Sequence, residues 1–182
     1  MAVFIFHGVG GSAEENWFPW LKTELEARGQ HVIAPSFPSA NTPDYNAWKE
    51  HFSGYRELLT EDSILIGHSL GAAFALRVLE DLPHAVRSCF LVAAVHGTMQ
   101  NQFDPLMTTF TEGEFDWELL KTKAQEYYIL HADNDPFIAL PLAEELARNL
   151  DTPLTLIPSG GHLNAAAGYN EFPLLLGMLM MT

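Results

Sequence analysis

The sequence has a single cysteine, few basic residues and no long hydrophobic run. Cys89 has no internal partner, which excludes a disulfide scaffold and is compatible with a reducing compartment. The thiol lies within the apolar run SCFLVAAV (88–95), a setting typical of a buried and unreactive cysteine. Neither disulfides nor thiol chemistry is therefore expected to define this protein.

Positive charge is scarce. Only 9 Lys and Arg stand against 23 Asp and Glu, giving a formal net charge of −14. Nucleic acids and anionic membrane surfaces are recognised by basic patches, so this balance argues against both as partners. We expect no nucleic-acid partner and no membrane partner.

The ends of the chain lack targeting and membrane-spanning patterns. The opening MAVFIFHGVGG has no basic segment and too short an apolar run for a secretory leader. The most apolar tail, FPLLLGMLMMT (172–182), is too short to cross a bilayer and is predicted to be a terminal helix docked on the core. The expectation is a soluble, cytoplasmic protein.

What is present is a globular composition. Of the 182 residues, 48% are apolar and 18% charged, and a chain of this length fits a single domain spanning 1–182. Short apolar runs predict six strands buried on both faces, at 3–6, 31–35, 63–67, 89–95, 127–132 and 154–158.

Segments with helical spacing separate these strands, at 17–28, 44–60, 69–82 and 139–149. Strands alternating with helices predict right-handed crossovers and a mostly parallel sheet of about six strands, with helices on both faces. The fold class is α/β. Two stretches fall outside this alternation: a proline-rich loop at 35–43, and an irregular, aromatic-rich segment at 96–116 that fits a lid or binding loop, or a surface loop.

One serine stands between two glycines where a buried strand gives way to an Ala-rich helix: Gly67-His68-Ser69-Leu70-Gly71. At a sharp strand-to-helix turn, flanking glycines remove collisions with the central residue, whose hydroxyl is then lifted clear of the sheet. The pattern G-x-S-x-G in this setting is typical of a nucleophile elbow, and Ser69 is the predicted nucleophile. A purely structural turn is the alternative.

A serine nucleophile needs a base, and the base needs an orienting acid. His162 is the predicted base, because it follows a strand and two glycines that allow its loop to bend toward Ser69. Three other histidines lie downstream but in less suitable places: His84 beyond a helix end, His96 at the start of the irregular segment and His131 within a strand.

Two carboxylates compete for the role of the acid, in the loop DNDPF (133–137). Asp135 is favoured because it precedes Pro136, where the chain has left the strand. Asp133 is the alternative, and it could equally cap the turn by accepting hydrogen bonds from backbone amides. The loop lacks the glycine and distal glutamate of an EF-hand, so no metal site is predicted.

The glycine-rich turn HGVGGS (7–12) follows the first strand and predicts the second half of an oxyanion hole. The N–H of Leu70 and that of either Val9 or Gly10 would receive the negative charge that develops on a substrate carbonyl. Such turns also bind dinucleotides, but this one matches neither G-x-G-x-x-G nor a P-loop. No cofactor is predicted.

Taken together, FIFHGVGGS, LIGHSLG, DNDPF and GGH resemble the α/β-hydrolase superfamily over nearly the whole chain. Within it they resemble the small, nearly lidless family of retinoblastoma-binding protein 9 and the bacterial YdeN-type serine hydrolases. The resemblance implies a compact α/β-hydrolase fold with little or no cap, and Ser69, Asp135 and His162 as nucleophile, acid and base. After the first strand this chain departs from the human members by its HG form, which leaves the second oxyanion donor open.

The function predicted on these grounds is a small serine hydrolase acting on an ester, thioester or amide of a small acyl substrate. The alternative is a protein-binding module on the same fold, with a surface built from Phe103, Phe110, Phe115 and Trp117. Lyase or peroxidase chemistry is a third option, and a dehalogenase would instead need an aspartate at position 69.

Overall fold

A computed structural model describes residues 1–182 as one six-stranded sheet with seven α-helices. The strands are β1 (Ala2–Phe6), β2 (His31–Ile33), β3 (Ile64–His68), β4 (Val86–Val92), β5 (Ala124–Ala132) and β6 (Leu154–Ile157). The helices are α1 (Phe18–Glu26), α2 (Tyr45–Ser53), α3 (Leu70–Glu80), α4 (Asp104–Thr111), α5 (Trp117–Lys121), α6 (Leu140–Asn149) and α7 (Pro173–Leu179), with short 3-10 turns at Arg56–Leu58 and Ala165–Ala167.

All neighbouring strands run parallel, in the order β2-β1-β3-β4-β5-β6. The register pairs Phe6 of β1 with Gly67 of β3, and His68 of β3 with Val92 of β4. The carboxyl ends of these strands therefore meet at one edge of the sheet, where sites form in parallel α/β folds.

Both faces of the sheet are covered by apolar side chains. On one face Trp48 of α2 and Phe74 of α3 pack with Leu146 of α6 in a cluster of 32 buried residues. On the other, Leu21 of α1 and Leu175 of α7 belong to a cluster of 18. This two-sided burial explains why the strands read as continuous apolar runs rather than as alternating ones. The α/β fold with helices on both faces is confirmed.

All six predicted strands form, but the fourth is displaced. β4 begins at Val86 and ends at Val92, whereas the apolar run predicts 89–95. Beyond Val92 the chain bends, because Ala93 has a φ of 45° and the Val95 N–H donates to the Ser69 carbonyl oxygen over 3.1 Å. The apolar residues after β4 are thus buried under the serine turn and not in the sheet.

The segment 96–116 is more regular than its sequence predicts, since 104–111 forms α4. Both ends of α4 are held. At its N-terminus the Asp104 carboxylate accepts the N–H groups of Met99 and Asn101, and at its C-terminus Arg77 donates to the Phe110 carbonyl oxygen. The prediction of an irregular insertion is wrong for this helix, because the partner that holds it, Arg77, is remote in sequence.

The predicted helix over 44–60 is shorter, ending at Ser53 with a separate 3-10 turn after it. The C-terminal segment forms α7, as predicted, and buries Leu175 and Leu179 against the sheet. None of the helices combines the length and the hydrophobicity that a membrane crossing requires.

Candidate active site

Ser69 occupies the turn between β3 and α3 in a backbone conformation that L-residues seldom adopt, with φ 56° and ψ −121°. The surrounding backbone holds it there. Its N–H donates to the Val92 carbonyl oxygen over 3.0 Å, and its own carbonyl oxygen accepts the N–H groups of Ala72 and Val95. The strain is thus offset by hydrogen bonds to two neighbouring elements.

Both glycines that flank Ser69 lie where no side chain fits. A Cβ on Gly67 would lie 2.5 Å from the Ala72 Cα, and one on Gly71 would lie 2.2 Å from the Phe6 carbonyl oxygen. These contacts are with backbone atoms, which cannot rotate away as a side chain would. The turn can therefore pass this close to β1 and α3 only with glycine at both positions.

Asp135 and His162 are joined although 27 residues separate them: His162 Nδ1 lies 2.8 Å from Asp135 Oδ2. The other carboxylate oxygen, Oδ1, accepts the N–H groups of Phe137 at 2.8 Å and Ile138 at 3.1 Å. The Asp135 side chain has no exposed surface, and that of His162 is 10% exposed. The carboxylate is thus fully partnered and oriented toward one imidazole nitrogen.

Opposing effects act on the Asp135 carboxyl group. Burial raises its pKa, because it penalises the charged form. The hydrogen bond and charge of His162 and the amides of Phe137 and Ile138 favour the carboxylate, and together they hold the pKa below its ordinary value. Asp135 is therefore ionised at neutral pH and fixes the tautomer of His162 with the proton on Nδ1.

Asp133 serves the turn, since its Oδ1 accepts the Ser159 N–H at 2.8 Å. The remaining downstream histidines are engaged or buried elsewhere. His96 Nε2 lies 2.9 Å from the Leu142 carbonyl oxygen, His131 Nε2 lies 3.0 Å from that of Ile138, and the buried His84 Nε2 has no partner. Only His162 lies against a carboxylate.

A cavity of about 250 Å³ opens beside Ser69. Ser69 and His162 both line it, although no hydrogen bond joins the Ser69 hydroxyl to the His162 ring. Such a contact is often loose before substrate binds. The rest of the lining is Val9, Met99, Phe103, Met107, Phe137, Ile138 and Asn164. Larger surface depressions, such as that beside Lys49 and Arg56, lie away from these groups.

Of the backbone amides predicted for an oxyanion hole, two have no acceptor. Leu70 is the first residue of α3, so its N–H lacks an acceptor within the helix, and the dipole of α3 adds positive potential there. The Val9 N–H makes no hydrogen bond in its loop, whereas that of Gly10 donates to the Ala40 carbonyl oxygen over 2.7 Å. Val9 therefore has the available amide of the two.

The sequence did not single out Gly8 and His7, which shape this loop. A Cβ on Gly8 would lie 2.9 Å from the Ser69 Cβ and 3.3 Å from its Oγ, so the loop approaches the serine closely. His7 Nε2 accepts the Phe37 N–H at 2.9 Å, which leaves the proton on Nδ1 to donate to the Gly8 carbonyl oxygen at 2.8 Å. In the sequence, only the pair His7-Gly8 directly after the first strand pointed to these two residues.

Several side chains hold the loop that carries His162. Trp17 Nε1 donates to the Leu163 carbonyl oxygen at 2.9 Å, and Asn134 Oδ1 accepts the Gly161 N–H at 2.8 Å. The His68 ring is hydrogen-bonded to the carbonyl oxygen of His162 itself. The loop of His162 is thus fixed from the residue before α1, from the loop after β5 and from the serine turn.

No three His, Cys, Asp or Glu side chains lie together as a metal site would require. The groups gathered at this edge are the Ser69 hydroxyl, the His162 imidazole with the Asp135 carboxylate hydrogen-bonded to it, and the backbone N–H groups of Leu70 and Val9, which have no acceptor.

Comparison with known proteins agrees with this architecture. A family model described as serine hydrolase matches residues 3–181. YdeN of Bacillus subtilis (strain 168) is 28% identical over 179 residues, covering 97% of this chain and 93% of its own length. The serine hydrolase RBBP9 of Rattus norvegicus is 27% identical over 157 residues, covering 86% of this chain and 82% of its own.

Solved structures share the fold. The crystal structure of the B. subtilis ydeN gene product has a TM-score of 0.93 at 28% identity, covering 99% of this chain and 97% of that one. A hydrolase of the α/β superfamily from Xanthomonas campestris pv. campestris has a TM-score of 0.68 at 17% identity, covering 100% and 99% of the two chains. The α/β-hydrolase fold expected from the sequence is thereby confirmed.

The aromatic surface expected for a binding module does not form as predicted. Phe110 is fully buried and Phe115 is 6% exposed, both within the larger apolar cluster. Phe103 and Trp117 are half-buried against the same cluster. These side chains are used to build the fold and the cavity wall, not an exposed surface.

Proposed function

This chain belongs to the serine hydrolase family, and from that premise we propose that it cleaves an ester, thioester or amide bond of a small substrate through an acyl-enzyme on Ser69. The observation that carries the proposal is the bond between His162 and the buried Asp135 carboxylate, beside the cavity lined by the strained Ser69. The predicted alternative, a binding module, is less well supported, because aromatic side chains that would form its surface are buried in the core.

In the first half of the proposed reaction His162 Nε2 takes the proton of the Ser69 hydroxyl as its oxygen attacks the substrate carbonyl carbon. The N–H groups of Leu70 and Val9 stabilise the oxyanion of the tetrahedral intermediate. Removal of one such donor raises the barrier by about 3 kcal/mol in other serine hydrolases. The ionised Asp135 stabilises the imidazolium form of His162.

The intermediate then collapses. The bond to the leaving group breaks, and His162 passes its proton to the departing oxygen, sulfur or nitrogen. In the second half, water attacks the acyl-enzyme while His162 takes its proton and returns it to the Ser69 oxygen. The products are the free acid and the alcohol, thiol or amine, so the chemistry needs no cofactor.

The test is labelling with a small fluorophosphonate, followed by mass spectrometry of the adduct. We expect wild type to be labelled on Ser69, Ser69→Ala to be unlabelled, and His162→Ala to react at least about 1,000-fold more slowly. Ser53→Ala is the matched control, since Ser53 is an exposed serine on α2.

A folded wild-type protein that is neither labelled nor able to hydrolyse any simple ester would overturn the proposal and favour the alternative, a binding module. Labelling that persists in Ser69→Ala would show that the nucleophile is another residue. In each variant, circular dichroism establishes that the fold is intact before rates are compared.

A further inference from the structure

The cavity beside Ser69 has an apolar wall. Apart from Ser69 and His162, its only polar lining residue is Asn164, whose Oδ1 already accepts the Ala167 N–H at 3.1 Å. The wall is otherwise formed by the side chains of Val9, Met99, Phe103, Met107, Phe137 and Ile138. Such a surface stabilises a ligand mainly by removing apolar area from water.

The volume of the cavity limits what can fill it. At about 250 Å³ it is smaller than the pockets that hold drug-sized ligands. A methylene group takes up about as much space as a water molecule, roughly 30 Å³, so roughly eight non-hydrogen atoms fill the cavity. A short acyl chain fills these dimensions, whereas a peptide or a long lipid would extend beyond them.

No lysine or arginine lines the cavity. A carboxylate in the acyl group would therefore be transferred from water into the cavity with no cation to pair with, and burial of an unpaired charge costs free energy. It would also approach Asp135, whose charge lies directly behind His162, in a chain with a formal net charge of −14. The surroundings of the cavity thus disfavour an anionic substrate.

The wall formed by α4 is anchored from outside the cavity. The Arg77 guanidinium donates to the carbonyl oxygens of Phe110, Glu112 and Gly113 at 2.9 to 3.0 Å, and it lies 3.9 Å from the centre of the Phe115 ring. These contacts hold the end of the helix that carries Met107 into the cavity wall.

The opposite wall is tied to this one. Asn101 Nδ2 donates to the Phe137 carbonyl oxygen at 2.8 Å, and the Phe103 and Phe137 rings meet edge to face at 5.6 Å. Phe137 also contacts the His162 ring, at 5.0 Å between centroids. Because these contacts join the two walls, we expect the cavity to keep its size when an acyl chain binds.

We propose that this protein selects an uncharged, apolar acyl group of about four to eight carbons, bound between α4 and the Phe137 loop. The inference rests on the proposed serine-hydrolase function and adds its substrate class. Met107 and Phe137 are the residues that set the length and the polarity of the acyl group.

The first arm of the test compares two acyl groups of equal shape on one leaving group. The p-nitrophenyl esters of 4-methylpentanoic acid and of succinic acid place an isopropyl group and a carboxylate at the same position. We expect kcat/KM to be roughly 10- to 100-fold higher for the 4-methylpentanoyl ester, since an unpaired polar group costs about 1–3 kcal/mol. The spontaneous release of p-nitrophenol, which is fast for the succinyl ester because its own carboxylate expels the leaving group, is subtracted from each rate. An equal kcat/KM for the two esters, or a higher one for the succinyl ester, would overturn the proposal.

The second arm measures length, with p-nitrophenyl esters from acetyl to decanoyl. Each methylene buried contributes about 0.8 kcal/mol, so kcat/KM should rise about fourfold per methylene up to six to eight carbons and then stop rising. Met107→Ala should enlarge the cavity and raise the decanoyl-to-butanoyl ratio at least about fivefold. Met181→Ala, at a position 79% exposed, is the matched control.

A constant rate across the series, or an unchanged ratio in folded Met107→Ala, would overturn the length assignment. Fluorophosphonate labelling of Ser69 distinguishes a failure of this inference from a failure of the proposed serine-hydrolase function. A protein that is labelled but prefers the succinyl ester is a serine hydrolase of another specificity, whereas one neither labelled nor active on any ester fails at the proposed function.

Discussion

His68 Nε2 lies 2.9 Å from the backbone carbonyl oxygen of His162, a residue 94 positions away. Burial, and to a smaller extent the nearby His162, lower the pKa of His68 to about 3, so its ring is neutral at physiological pH. A carbonyl oxygen only accepts, and the single ring proton must therefore lie on Nε2. The residue beside the proposed nucleophile thus holds the backbone of the proposed base.

Removing this donor should impair turnover more than folding. We expect His68→Phe to lower kcat about 10- to 100-fold, because a displacement of His162 by a fraction of an ångström misaligns it with Ser69. His68→Gln places an amide N–H near the position of Nε2 and should restore most of the activity. The measurement is kcat for a butanoyl ester, with urea unfolding of each variant.

A positioning role and a purely structural one give different results. If His68 only fills space, the two variants will lose activity in proportion to their loss of stability, and Gln will offer no rescue over Phe.

Gly8→Ala should make Ser69, the proposed nucleophile, less reactive. The added methyl would lie 2.9 Å from the Ser69 Cβ, closer than side-chain carbons approach each other, and must displace the hydroxyl. We expect the rate of fluorophosphonate labelling to fall at least about tenfold while the protein stays folded. Gly177→Ala, at a position with open space around it, should leave the labelling rate at the wild-type value.

Arg77→Lys should loosen the wall of the cavity. Lysine keeps the charge but cannot reproduce the fork of the guanidinium, which donates in several directions at once. We expect KM for a hexanoyl ester to rise about tenfold with a much smaller change in kcat, because α4 lies at the binding surface and away from the Asp135–His162 bond. Arg87→Lys, in an exposed ion pair with Asp62, is the control and should change neither constant.

Stability should fall as the pH drops below about 6.5. Burial lowers the pKa of His7, His68 and His131 from their ordinary value of 6.5, so the unfolded chain binds protons that the folded chain refuses. Stability contributed by such groups is present above the unfolded pKa and is lost as the pH falls toward the folded pKa. Between pH 7.5 and 5.5, His68 alone should account for about 1.4 kcal/mol.

Urea unfolding at the two pH values checks this. The difference in free energy of unfolding between pH 7.5 and 5.5 should shrink by about 1.4 kcal/mol in His68→Gln. The same replacement at His31, which is exposed, should leave the difference as in wild type. An equal difference in all three proteins would show that His68 is accessible to protons in the folded state.

The strands and most of the helices were predictable because burial on both faces leaves a continuous apolar run, and a buried helix leaves its spacing. The failures have a common cause. β4 stops at Val92 and α4 forms within 96–116 because of contacts from remote residues, Ser69 for the first and Arg77 for the second. No local pattern carries information about a partner that lies far away in the chain.

The candidate site likewise has features that the sequence predicts and others that only the tertiary structure shows. The turn at Ser69 was predictable from its two glycines, because a turn this tight excludes side chains at both flanking positions. The preference for Asp135 over Asp133 rested on one proline, and only the packed loop shows which carboxylate reaches His162. The choice between the Val9 and Gly10 amides depended on Ala40, which accepts the Gly10 N–H.

The sequence by itself determined the fold class, the turn that presents Ser69 and the small set of residues able to serve it, because these follow from local sterics and from the period of apolar residues. Tertiary structure alone decided which carboxylate meets which histidine, which loop amide is left without an acceptor, and how wide the cavity is. Each of these depends on distances between segments that are joined only when both faces of the sheet are covered.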